Sequence, residues 1–159
     1  MLPTLEAVAK GFALGTPMLD RAVGDFTPED WGVRDAAGHD PRWILGHLAT
    51  YRQSVIALQG QPREDASWME AFTRGRTAVD IPGDLDMATV MAAFQAAGEV
   101  IARGWEALTP ERLAAPLGRT LPDGTSTVGD GLRFLAWHEA YHLGQLGLFR
   151  KLAGKPGVA

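Results

Sequence analysis

No cysteine occurs in this chain of 159 residues. That excludes a disulfide framework, a thiolate metal ligand and a cysteine nucleophile, so any thiol chemistry needs a thiol brought by a second substrate. Basic runs are missing too. Lys and Arg total 15 against 19 Asp and Glu, giving a net charge of -4 and a pI near 5.5. Such a balance argues against a nucleic-acid surface. No apolar run reaches the ~18 residues that cross a bilayer. The N-terminal apolar stretch is interrupted by Glu6 and Lys10 and lacks a small-residue cleavage pattern, so no signal peptide is read. A cytoplasmic protein with no membrane or nucleic-acid partner is the expectation. Also absent is any alternation of apolar and polar residues long enough for a core strand.

What remains is helical. Hydrophobic residues make up 46% of the chain and charged residues 21%, the mix of one globular domain with a sizeable core. A single domain over residues 1–159 is expected. Residues 3–23 place Leu5, Val8, Phe12, Leu19 and Val23 at near-helical spacing, with Pro17 expected to kink or break the helix. Thr27-Pro28-Glu29-Asp30 reads as a cap and a short helical turn. Residues 41–58 start with Asp40 as cap and Pro41 at the first position, and Ile44, His47, Leu48, Tyr51, Val55 and Leu58 form one inward stripe. A short helix is expected near residues 64–72. A third long helix, residues 86–108, carries Val90, Phe94, Ala97, Ile101 and Trp105 on one face. Pro122-Asp123-Gly124 marks a turn, and so a short hairpin or irregular loop, before the last helix at residues 128–152, which Gly154 is suited to end. The predicted fold class is all-α, a four-helix bundle with embellished loops.

Four histidines stand in this frame: His39, His47, His138 and His142. His39 falls in a loop beside Asp40. His47 falls on the inward stripe of its helix, and His138 and His142 fall on that of the last helix. A lone core histidine is ordinarily just hydrogen-bonded. A pair at i and i+4 is different, because it places two polar rings in one apolar layer, at a cost unless something satisfies their nitrogens. A third ring from a second helix makes a three-nitrogen metal site, and bundle cores are where such sites are built. His138-Glu139-Ala140-Tyr141-His142 also spells H-E-x-x-H, the zinc-protease motif. The longer protease form fails, because Gln145 occupies its glycine position and Leu148 its last histidine position. No Asp, Glu or His follows His142, so a third ligand must come from upstream, and His47 is the natural choice. Glu139 points about 100° away from His138 around the helix and is expected to be a solvated or interface residue.

The stretches Trp43-Ile44-Leu45-Gly46-His47-Leu48 and His138 to Leu146, followed by Phe149-Arg150-Lys151, resemble the DinB/YfiT-like metal-binding superfamily. Its pattern is a single histidine in the second helix with H-x-x-x-H-x-G-Q in the fourth. The resemblance implies an up-up-down-down four-helix bundle, homodimers, and a divalent metal, Zn or Ni with Fe or Mn as alternatives, held by His47, His138 and His142. Characterised members are transferases and isomerases using low-molecular-weight thiols such as bacillithiol or mycothiol, and the family name refers to induction by DNA damage. A metal-dependent transfer of a small thiol to an electrophile is therefore the leading expectation. The alternatives are a non-catalytic metal-binding stress-response protein and a hydrolase using metal-bound water with Glu139 as base. Gln145, Tyr51 and Glu139 are the candidate catalytic residues. Arg150 is read as a surface arginine able to attract an anionic thiol, and Trp43, Trp105 and Trp137 as core or dimer-face aromatics.

Overall fold

Side-chain caps start three of the four long helices, and the first follows a 3-10 turn without one. The computed structural model describes residues 1–158. Its α-helices are α1 (Glu6–Val23), α2 (Pro28–Trp31), α3 (Pro41–Leu58), α4 (Met87–Gly104), α5 (Pro110–Ala114) and α6 (Val128–Leu152). Asp40 accepts the Arg42 amide ahead of Pro41 at the start of α3, and Asp86 accepts the Ala88 amide at the start of α4. Thr127 and Asp130 form a reciprocal capping box at the head of α6. At its far end Gly154 takes φ +76°, a left-handed conformation that glycine adopts without a Cβ penalty.

Several expectations are corrected. Pro17 does not break α1, which runs through it. Pro17 and Ala13, whose carbonyl loses its partner, both lie on the exposed side, where water serves that carbonyl. The third long helix ends at Gly104 and passes into a 3-10 turn, Trp105–Ala107. Residues 110–114 form a further short helix, α5, capped by Thr109, which the hydrophobic spacing does not mark. The short helix near residues 64–72 is a 3-10 segment, Ser67–Phe72. The loop before α6 doubles back through one isolated bridge, Pro116 to Thr127, and no strand forms among the described residues.

Two apolar layers fix the order of the bundle. One joins Leu5, Phe12, Val55, Ile101, Trp105 and Leu132; the other joins Leu19, Ile44, Leu48, Phe94, Leu146 and Phe149. Each layer takes the same end of α1 and α6 and the opposite end of α3 and α4. The four long helices therefore run up-down-down-up, not up-up-down-down. The parallel pair α3 and α4 requires a long return connection. That connection carries Ser67–Phe72 back along α3, which it packs against. Helix α3 also packs on α6, and this contact holds the histidines.

Candidate metal centre

His47 reaches the site from the middle of α3. It is 5% exposed, with Trp43 stacked at 4.6 Å and Tyr51 tilted at 4.3 Å between ring centroids. Its Nδ1–H donates to the Phe72 carbonyl at 2.7 Å. A carbonyl only accepts, so the ring proton lies on Nδ1 and a lone pair on Nε2. Phe72 can come this close because residue 46 is glycine; a Cβ there would collide with the Phe72 ring. On α6, His142 Nδ1 meets Gln145 Oε1 at 2.6 Å, which likewise leaves the Nε2 of His142 with a lone pair.

His138 Nε2 lies 3.2 Å from the Nε2 of His47 and 3.1 Å from that of His142. It can donate one proton to one of them, so at least one of the two contacts has no hydrogen between its nitrogens. A cation among the three nitrogens removes the conflict. The spacing suits one: imidazole nitrogens ~2.05 Å from a tetrahedral zinc lie about 3.3 Å apart. The three donors lie within 4.8 Å of one another, and no carboxylate joins them among the described residues.

Burial pushes His47 down to about 4, against the hydrogen bond to Phe72. Burial and the neighbouring His142 and His47 push His138 to about 3. Burial also lowers His142, opposed by Gln145. All three rings are thus neutral near pH 7, the form that binds metal. For a base whose folded pKa is depressed, the unfolded chain binds more protons between the two values. Metal-free protein is therefore expected to keep full stability above pH ~6.5 and to lose it as pH falls through about 4, where His47 titrates. Urea midpoints across that range in the presence of a chelator measure the effect.

Tyr51 and Gln145 are brought to the trio, Tyr51 with its ring 4.8 Å from that of His138. Glu139 is not. It is 5% exposed, neither solvated nor at an interface. Both its oxygens bind Arg52, from Nη2 at 2.7 Å and Nε at 2.9 Å. The turn from His138 to Glu139 aims the carboxylate at the bundle centre, where Arg52 of α3 crosses. Arg150 is also not a free surface charge, since its side chain is 12% exposed and paired with Asp25. Trp105 is core, Trp43 is half-buried and donates to the Ala71 carbonyl, and Trp137 is 60% exposed. His39 is exposed and paired with Asp35.

The Phe72 carbonyl and Arg52 were not read from sequence. A backbone acceptor leaves no residue signature. Arg52 had one: mid-helix glycines at positions 15 and 98, which make room for the ion pair. Gln145 holds His142 in the tautomer whose Nε2 lone pair faces the other two rings, so if the trio binds metal, Gln145→Ala is expected to weaken that binding about 10- to 100-fold, read by competition with a chromogenic chelator.

The sequence model of the DinB superfamily matches residues 12–146, a span that contains all three histidines and Gln145. This chain belongs to the DinB superfamily. Among solved structures it is similar to YfiT from Bacillus subtilis, described as a probable metal-dependent hydrolase with an unusual four-helix bundle topology. The two share 16% identity at a TM-score of 0.70, over 95% of this chain and 88% of that one. At that identity the likeness establishes the four-helix bundle fold and nothing finer. A search of curated proteins finds no match.

Proposed function

We propose that this DinB protein binds one divalent metal, zinc or nickel, through His47, His138 and His142, and transfers a low-molecular-weight thiol to a small electrophile. The observation that carries the metal is the convergence of three neutral Nε2 atoms, two of them fixed as acceptors by Phe72 and Gln145. Three neutral ligands leave the charge of a dication uncancelled and a coordination position open, the form of a catalytic site. A metal there supplies Lewis acidity that lowers the pKa of a coordinated thiol or water toward neutrality.

The protein's own residues favour the thiol. Hydrolysis needs a general acid–base in reach to move protons between the bound water and the leaving group, and Glu139, the one carboxylate beside a ligand in sequence, is held by Arg52. A small thiol loses its proton to solvent beforehand. Its sulfur then forms the new bond to carbon while the leaving group departs with the electron pair. The rings of Trp43 and Tyr51 flank His47 and keep its orientation. The second reading is hydrolysis, the activity named for YfiT.

Elemental analysis of the purified protein, followed by a conjugation assay with a panel of small thiols and an activated aryl halide, tests the proposal. Stoichiometric metal with thiol-dependent turnover supports it. Metal with hydrolysis and no conjugation favours the second reading, and metal without either activity makes this a binding protein. The family tendency to dimerise is proposed to use the α1/α6 face, where Leu14 and Leu148 are exposed beside Gly11 and Gly144. Leu148→Arg is then expected to convert dimer to monomer in light scattering.

A further inference from the structure

One buried charged group lies beside the histidines without a part in the proposed chemistry. Arg52 is 1% exposed and Glu139 5%. Arg52 follows Tyr51 on α3, and Glu139 follows His138 on α6. Besides its two bonds to Glu139, Arg52 donates to Thr16 Oγ1 at 2.9 Å and to the Phe94 carbonyl at 2.8 Å. Its guanidinium carbon sits 3.4 Å over the Phe94 ring. A single pair of side chains thus touches α1, α3, α4 and α6 at one level. The neighbouring backbones are shaped for it. A Cβ at Gly15 would collide with Glu139 Oε1, and one at Gly98 would lie 2.6 Å from Arg52 Nη1. Glycine is a poor residue for a helix interior, and both stand where the charged heads need room.

A desolvated ion pair stabilises a fold no better than well-packed apolar side chains of the same volume; its best-attested use is to fix registry. Apolar surfaces tolerate sliding and rotation, whereas a two-pronged guanidinium–carboxylate contact is satisfied at one setting. Registry matters most between α3 and α6, because His47 from one must meet His138 and His142 from the other. We propose that Arg52 and Glu139 are positioning residues for the three-histidine site, locking the rotation and axial setting of α3 against α6 so that the three Nε2 atoms converge. This rests on the metal reading above.

The test uses cobalt(II), whose visible absorption reports ligand geometry, on wild type, Arg52→Met/Glu139→Leu and Glu139→Gln. The double variant removes both charges together and leaves neither unpaired. It is expected to unfold cooperatively when metal-free, yet to bind cobalt about 10- to 100-fold more weakly and with a shifted spectrum. Wild-type affinity and spectrum in the double variant overturn the proposal, whatever its unfolding midpoint does, because a merely structural pair moves only the midpoint. If the double variant does not fold, Glu139→Gln keeps the side-chain volume and one acceptor oxygen and decides by the same two readouts. Failure of wild type to take up cobalt or zinc sinks the metal reading instead, so the two failures are distinct.

Discussion

His47→Ala is expected to abolish stoichiometric metal binding while leaving the bundle folded. The substitution removes one of three donors, and the loss should exceed the ~10- to 100-fold attached to outer-shell partners. Retention of the fold follows from where the other packing lies. The core layers on either side, Leu48 with Leu19 and Phe94, and Val55 with Ile101, do not depend on the ring. The local cost is the Phe72 carbonyl, left without its donor, and the gap between Trp43 and Tyr51. An unsatisfied buried acceptor costs about 1–3 kcal/mol, within the ~5–15 kcal/mol that keeps a domain of this kind folded. Elemental analysis and a thermal melt on the same preparation separate the two effects. Wild-type metal content in a folded His47→Ala protein would remove His47 from the ligand set, and with it the argument that joins α3 to α6.

How much of this was legible in the sequence depends on the kind of signal each feature leaves. The bounds of α3 and α6 agree with their caps, because Asp40-Pro41 and the Thr127–Asp130 box are local devices. His47 could be paired with His138, 91 positions away, and with His142 because its inward stripe and the i, i+4 pair each implied a buried polar ring needing company. Helix direction left no such mark. The up-down-down-up order follows from how far the return connection runs, and local periodicity is blind to that. The course of α1 through Pro17 depended on which side of the helix faces water. The Arg52–Glu139 pair was missed because charged residues on an amphipathic pattern are assigned to solvent. Only the glycines at positions 15 and 98 hinted otherwise, and they sit on other helices.

Glu139→Ala is expected to be among the most destabilising single changes in the chain, and for a reason the H-E-x-x-H string hides. Removing the carboxylate leaves the Arg52 guanidinium buried with its charge unpaired. Breaking a buried pair from one side costs about 3–5 kcal/mol, a large part of the stability of a domain this size. Activity measured on such a variant would fall because the fold fails, and the result would look like loss of a general base. The two causes differ in what else they require. A lost base leaves the urea midpoint of metal-free protein in place and predicts nothing for Arg52. A broken ion pair lowers that midpoint, and Arg52→Ala lowers it comparably. The Arg52→Met/Glu139→Leu double variant then recovers much of the loss, since the penalty comes from the unpaired charge. A Glu139→Ala protein with wild-type stability, full metal and no turnover would restore the glutamate to the chemistry that its place in the motif suggests.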